Sequence, residues 1–399
     1  MHEGRAAMGR VLPELHQAGL PRLVHHPLDE LPAEILSPRQ LGHREVLSAA
    51  ELVQDVAHPD AQTAELLVEL DPTRHPPVHG AEGDIDLGEA VSEKVGVERS
   101  VHPASMTPWL SYVTRHDTLV VMISTIRTLD LADQRITFVE HGSTAAPALL
   151  LLHGGAVDRR MWHRQLEAFP NHRVVAVDAR GHGGSSDAER PYRLCDDVVA
   201  LMDELEIEEA VLVGISMGGG TAVDVALEHP GRAKALVVGG TGTSEPEFTD
   251  PWVLRTFADW KAAELGGDLE AWVEVFQRFT AGQHRDLAAV DPEVVQLIGT
   301  MARDTVSQHL RLGADGLPLP PLPPTPVTST WERLGRIRIP VLAVIGEHDG
   351  DDHREMGRRL AASVAGPSRV VEIPGAAHYP NLEHPVAFNR AVQSLLDES

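Results

Sequence analysis

Short continuous runs of β-branched and leucine residues recur from about Thr125 onward, separated by stretches with helical spacing. The runs are Arg135–Glu140, Ala148–Leu152, Val174–Val177, Ala210–Val213, Ala235–Val238, Val341–Ile345 and Val370–Ile373. Most of them do not alternate apolar with polar residues. Such runs suit strands covered on both faces, as in a parallel sheet. Helical stretches lie between them at Met161–Phe169, Tyr192–Leu205, Ala222–Glu228, Arg354–Val364 and Pro385–Leu396. Strands alternating with helices give βαβ units, and the fold class predicted is α/β with a doubly wound, mostly parallel sheet.

Two regions depart from this alternation. Residues 243–330 hold three helix-like segments, Val253–Glu264, Leu269–Thr280 and Pro292–Leu312, then a Pro-rich passage from Pro318 to Pro326. This insertion reads as a helical cap with a stiff connector, lying over the sheet edge where open α/β sheets bind ligands. The core is then residues 122–242 and 331–399, with a first strand at Ile123–Leu131. Residues 1–121 differ again. Up to Pro108 there is no Phe, Tyr, Trp, Cys or Asn, while His and Pro are frequent. A stretch so poor in large apolar groups buries little area against the entropy of ordering. It is expected to be a poorly ordered N-terminal extension, with helical spacing only at Leu41 to Val53 and at Ala64, Leu67 and Leu70. Its composition resembles out-of-frame translation of a GC-rich gene, with Met106 and Met122 as alternative starts. His75 and His79 have ligand spacing, but Pro76 and Pro77 between them oppose a shared helical face, and no metal is expected.

Bulk properties exclude several classes. A formal charge of −25 disfavours nucleic acid and anionic membrane surfaces as partners. No apolar run approaches the ~20 residues needed to span a bilayer. Cys195 is the sole cysteine, so no intrachain disulfide forms, and with no secretory signal at Met1–Arg5 a cytoplasmic setting is expected.

Chemistry concentrates at the ends of the strand runs. Ala210–Val213 leads into Gly214-Ile215-Ser216-Met217-Gly218, followed by a helical stretch. A serine on so tight a strand-to-helix turn needs neighbours without a Cβ, which Gly214 and Gly218 provide. A serine hydroxyl is a weak nucleophile and needs a base, itself oriented by a carboxylate. Val341–Ile345 leads to Asp349, and Val370–Ile373 leads to His378, in the chain order Ser216, Asp349, His378. Glu347, Asp351, Asp352, Glu245 and Glu247 are alternative acids, whereas His348 and His384 are weaker candidates for the base. The oxyanion donors expected are the backbone N–H of Met217 and that of Gly155, with Ala156 second, in the loop His153-Gly154-Gly155-Ala156. Trp162, Tyr379 and the cap aromatics Trp252, Phe257, Trp260, Phe276 and Phe279 are candidates for an apolar substrate pocket. The Gly-rich stretch Asp178 to Ser185 lacks a Walker Lys-Ser/Thr and is not a phosphate loop, and Cys195 reads as core packing.

From about Thr125 to Ser399 these segments resemble the α/β-hydrolase fold superfamily. The likeness rests on His153-Gly154-Gly155, Asp178-x-Arg180-Gly181-His182-Gly183-x-Ser185, the Ser216 elbow, Gly346-x-x-Asp349 and Gly375-x-x-His378. Within it the chain looks most like small capped serine esterases and lactonases, including 3-oxoadipate enol-lactonases and meta-cleavage-product C–C hydrolases. Serine at the elbow departs from haloalkane dehalogenases and epoxide hydrolases, which place aspartate there. The resemblance implies a cofactor-independent hydrolase acting on a small-molecule ester or lactone. Ester, lactone and C–C substrates share one acyl-transfer apparatus, so the motifs leave the choice among them open, as they do acyl transfer, perhydrolysis and idle ligand binding. Oligomeric state is equally open.

Overall fold

A computed structural model describes residues 63–69, 109–115, 118–124, 126–312, 318–319 and 321–398. Strands β1 (Thr63–Glu69), β2 (Trp109–Arg115) and β3 (Thr118–Ser124) form a three-stranded antiparallel sheet with β3 central. The helical spacing expected at Ala64 and Leu67 is overruled by strand pairing, with Ala64 opposite Ile123 and Leu67 opposite Val120, whereas Leu70 lies outside the described residues. The window from Leu41 to Val53, and His75 and His79, lie outside the described residues.

The main sheet has eight strands: β4 (Ile126–Leu131), β5 (Gln134–His141), β6 (Ala148–Leu152), β7 (Arg173–Val177), β8 (Ala210–Ile215), β9 (Ala233–Gly239), and, after the two-residue pair β10 (Arg311–Leu312) and β11 (Pro318–Leu319), β12 (Val341–Gly346) and β13 (Ser368–Ile373). Their order is β13-β12-β9-β8-β6-β7-β5-β4. Pairs from β13 through β7 run parallel, and β5 and β4 complete one edge antiparallel. The predicted first strand, Ile123–Leu131, divides between β3 and β4, which belong to different sheets.

Burial explains the runs. Every residue of β6, β7, β8 and β12 is buried. Leu149 and Leu151 face one apolar cluster and Leu150 and Leu152 the other, so each face of the sheet has its own core. Each fully buried leucine contributes roughly 2 kcal/mol of transfer free energy. Helices α1 (Leu194–Glu204) and α2 (Met217–Glu228) supply the second cluster, whereas α7 (Pro385–Leu396) supplies the first. Between β9 and β12 lie α3 (Pro251–Gly266), α4 (Leu269–Ala281) and α5 (Pro292–His309). Each begins at an aspartate, Asp250, Asp268 and Asp291, whose carboxylate accepts backbone N–H bonds of the first turn. Helix α6 (Asp351–Ser363) follows β12.

Two helix expectations fail locally. Met161–Phe169 is a short 3-10 turn, Arg159–Trp162, followed by further turns. Gln165 there reaches out to the Asn381 carbonyl at 3.0 Å and to Asn389 at 2.9 Å, so tertiary hydrogen bonds outweigh the local helical pattern. The last predicted helix of the insertion stops at His309, because Arg311 and Leu312 pair with β11.

Candidate active site

The carboxyl ends of β6, β7, β8, β9, β12 and β13 are contiguous in the sheet, and every motif singled out in the sequence follows one of them. Ser216 stands between β8 and α2 at φ 54°, ψ −117°, a left-handed backbone for a residue with a Cβ. That conformation costs about 1–3 kcal/mol and persists only where surroundings enforce it. The enforcement is visible. The Ser216 N–H donates to the Gly239 carbonyl at 2.7 Å, and its own carbonyl accepts from Gly220 N–H at 3.0 Å. A Cβ at Gly214 would lie 2.2 Å from the Gly218 oxygen, and one at Gly218 would lie 2.0 Å from the Leu152 oxygen. No side chain fits at either place.

The loops after β12 and β13 are joined to each other. His348 N–H donates to the Ala376 carbonyl at 2.8 Å, and a Cβ at Gly346 would strike the Ala377 oxygen at 2.0 Å. This junction brings Asp349 and His378 together, both almost fully buried. His378 Nδ1 lies 3.1 and 3.0 Å from the two Asp349 oxygens. Gly350 N–H donates to Asp349 Oδ1 at 2.8 Å. Burial alone would raise the Asp349 carboxyl, but the His378 and His353 rings and the Gly350 N–H outweigh it and hold it below its ordinary range. The His378 ring packs against the residue after the Ser216 N–H acceptor: a Cβ at Gly240 would lie 2.7 Å from its Cε1, 3.1 Å from Nδ1 and 3.2 Å from Nε2. On the opposite flank, a Cβ at Gly154 would lie 3.5 Å from the Ser216 Cβ.

The alternative acids are engaged elsewhere. Glu245 accepts from Thr330 N–H at 2.6 Å, Glu347 accepts from Gly375 N–H at 2.8 Å, and Asp352 accepts from Thr249 and Asp250 N–H, each at 2.7 Å. Glu247 pairs with Arg359, and Asp351 with Arg354. His348 points its backbone, not its ring, into the junction, and His384 precedes α7.

Two backbone donors near Ser216 are unspent. Met217 is the first residue of α2, and its N–H has no acceptor within the helix. Gly155 N–H has no hydrogen-bond partner among the described residues. Ala156 N–H, by contrast, donates to His182 Nε2 at 3.2 Å, which separates the two oxyanion candidates. His182 stays neutral because burial lowers it to about 3, and its Nδ1 lies 3.1 Å from the Arg180 carbonyl. His153 Nε2 accepts from Ala179 N–H at 2.8 Å, so its Nδ1 carries the proton toward the Gly154 carbonyl. The Asp178 carboxylate accepts from Arg159 N–H and Gly184 N–H, both at 2.8 Å. These groups hold the two loops in place and leave no reactive atom over.

Above the histidine lies an aromatic group from the insertion. The Phe279 ring is 5.9 Å from His378, with Trp252 at 5.8 Å and Phe257 at 5.5 Å from Phe279, and Trp260 and Phe276 beyond. Tyr379 packs edge-on to His378 at 5.2 Å, and burial pushes its hydroxyl far up. Trp162 is wholly buried, 6.2 Å from Phe388, in the same apolar cluster as Phe276 and Phe279.

The overlap of fold and motif has an outside counterpart. Residues 147–385 match the family model described as alpha/beta hydrolase fold. The chain belongs to that family. It is 29% identical over 273 residues to the 3-oxoadipate enol-lactonase 2 of Acinetobacter baylyi, covering 67% of this chain and 96% of the relative. It is also 29% identical to a 2-hydroxy-6-oxononadienedioate/2-hydroxy-6-oxononatrienedioate hydrolase of Burkholderia vietnamiensis, over 67% of this chain and 92% of that one. Among solved structures it resembles carboxylesterase CesB (YbfK) of Bacillus subtilis, with TM-score 0.54, 25% identity, 69% of this chain and 92% of that chain. These three relatives carry the names of a lactonase, a dienedioate hydrolase and a carboxylesterase.

Two groups of ligand-type atoms gather among the described residues, Cys195–Asp196–His229 and Asp349–His353–His378. In the first, burial pushes the Cys195 thiol up to about 12, so it keeps its proton, while Asp196 is bonded to Arg193 and His229. The second is the carboxylate–imidazole pair with one further ring. That ring, His353, was not singled out in the sequence. Its only signal was its position, four residues past the acid in the first turn of a helix. Among the described residues no helix is long and apolar enough to cross a membrane.

Proposed function

We propose that the protein is a cofactor-independent serine hydrolase that cleaves small carboxylic esters or lactones by acyl transfer. The observation that carries this reading is the buried Asp349–His378 pair, 3.0 Å apart, beside a strained serine whose neighbouring N–H groups are unspent. Ser216 Oγ attacks the acyl carbon while His378 Nε2 takes its proton. Asp349 fixes the proton on Nδ1 and stabilises the imidazolium that forms. The N–H groups of Met217 and Gly155 receive the charge that develops on the acyl oxygen. His378 returns the proton to the departing alkoxide, and water then repeats the sequence on the acyl-enzyme. For a lactone, the leaving alkoxide stays attached to the acyl chain. Residues 251–309 serve as the cap over this edge, and their aromatic side chains receive the apolar part of the substrate.

A second reading, hydrolysis of a C–C bond next to a carbonyl, draws on the Burkholderia relative and uses the same groups. A substrate panel of esters, lactones and dienone acids separates the two. The enzyme reading itself is tested by Ser216→Ala, which is expected to lower turnover of a short p-nitrophenyl ester by at least about 10³-fold while the thermal midpoint stays close to the parent's. Turnover near the parental rate in a folded variant would refute it.

A further inference from the structure

The Asp349 carboxylate touches two imidazoles, not one. His353, in the first turn of α6, is 5% exposed, and its Nδ1 lies 3.6 Å from Asp349 Oδ1. That nitrogen has no hydrogen-bond partner, which leaves a buried polar atom unsatisfied. The ring is fixed from several sides. Phe248 packs against it at 5.3 Å, Phe279 at 5.9 Å and His378 itself at 4.8 Å, edge to face. A Cβ at Gly350 would lie 2.9 Å from Nδ1, so the glycine after the acid is what lets the imidazole approach.

We propose that His353 is a positioning residue for the reaction: it donates its Nδ1–H to Asp349 Oδ1 beside His378, and so holds that carboxylate oriented and ionised. The inference rests on the acyl-transfer reading above. A closure of about 0.6 Å brings the pair to ordinary N–H···O distance. A phenylalanine or leucine would fill the space between Phe248 and Phe279 without leaving a polar atom unpaired, so an imidazole there has a use only if that atom is bonded.

The donor is neutral. Burial pushes His353 down to about 4, against the pull of the Asp349, Asp352 and Asp250 carboxylates and assisted by the neighbouring His378. Those are the charged and titratable groups that face it, from its own turn, the two site loops and the start of α3. A neutral donor draws charge off Asp349 without placing a second cation beside the His378 imidazolium. It joins the Gly350 N–H on Oδ1, an oxygen that also lies 3.1 Å from His378 Nδ1, and so limits rotation of the carboxylate against the imidazole.

The test pairs His353→Leu with His353→Asn, which have similar shape but differ in a donor at the Nδ1 position. For Leu we expect kcat to fall about tenfold, the loss of one hydrogen bond to a charged group, with KM changed less than about twofold. The acid limb of kcat/KM moves to higher pH, because the full carboxylate charge then favours the His378 imidazolium. Asn restores both kcat and the limb. Leu and Asn variants indistinguishable from each other in rate and pH profile would overturn the inference. Should the Leu variant not fold, nitrogen-15 NMR of the histidines in the full chain decides: a proton on His353 Nδ1, retained and neutral at pH 6, supports it, and a proton on Nε2 alone overturns it. The NMR result does not depend on Ser216. Activity persisting in Ser216→Ala would therefore sink the reaction while leaving the His353–Asp349 bond to be judged separately.

Discussion

The sheet edge and the helical insertion are built on different principles. At the edge, side chains are placed by backbone. Ser216 is held by glycines that admit no Cβ, and Asp349 and His378 by two loops that hydrogen-bond to each other. In the insertion, Trp252, Phe257, Trp260 and Trp272 are only half-buried and contact one another through ring faces and edges. The first arrangement has no room for a Cβ at Gly214 or Gly218; the second rests on contacts between half-buried rings. The contrast suggests a division of labour in which reaction chemistry is fixed at the edge and substrate choice varies above it. The two regions are joined by hydrogen bonds such as Gln283 N–H to the His348 carbonyl at 3.0 Å. Arg285, just past α4, donates to the Gly375 carbonyl at 2.6 Å and pairs with Glu383, whose other oxygen accepts the Ala377 N–H at 2.8 Å. The insertion is thereby tied to the loop that carries His378.

Phe279→Ala bears on this contrast most heavily, because Phe279 is the ring of the insertion that touches His378. It is expected to lower kcat/KM about tenfold or more for a bulky aromatic acyl group and only slightly for acetyl, as removing a large apolar contact costs a few kcal/mol. Steady-state kinetics with a series of p-nitrophenyl esters checks it. An equal loss on every ester would erase the proposed division. A smaller effect is expected beneath the edge, on stability rather than rate. Asp224 on α2 is buried, accepts from Ser244 at 2.7 Å and is pushed up to about 7 by burial, aided by Glu228 and Glu245. Folded chains keep this proton up to about pH 7, whereas unfolded chains release it near 3.8, so stability declines as pH rises between those values and is level above. Asp224→Asn keeps the acceptor for Ser244 and is expected to add about 2 kcal/mol at pH 8, with the gain vanishing below pH 4. Denaturant melts at the two pH values report it; a gain that is the same at both would contradict the assignment.

What could be read from the sequence follows the same divide. The placement of Ser216, Asp349 and His378 at neighbouring strand ends was legible because each follows a continuous apolar run, and strand ends in a parallel sheet converge. The motif ranked Gly155 ahead of Ala156 but could not show the physical difference, which is that His182, twenty-six residues away, accepts the Ala156 N–H. The stretch from Met161 to Phe169 carried a helical pattern, yet contacts of Gln165 with residues beyond 380 override it. That Trp162 packs beside Phe388 was likewise not legible, since the two are far apart in the chain. His353 was illegible for a related reason. Among 22 histidines, only the turn of α6 and the bare Gly350 bring this one to the acid.

The proposed chemistry depends on the hydroxyl of Ser216 being made reactive by His378. Incubating the folded protein with a fluorophosphonate probe and locating the adduct by peptide mass spectrometry tests this directly. A single adduct on Ser216, formed at least about 10²-fold more slowly in His378→Gln, is the result expected. No adduct on folded protein, or labelling of Ser216 at the same rate without His378, would contradict it.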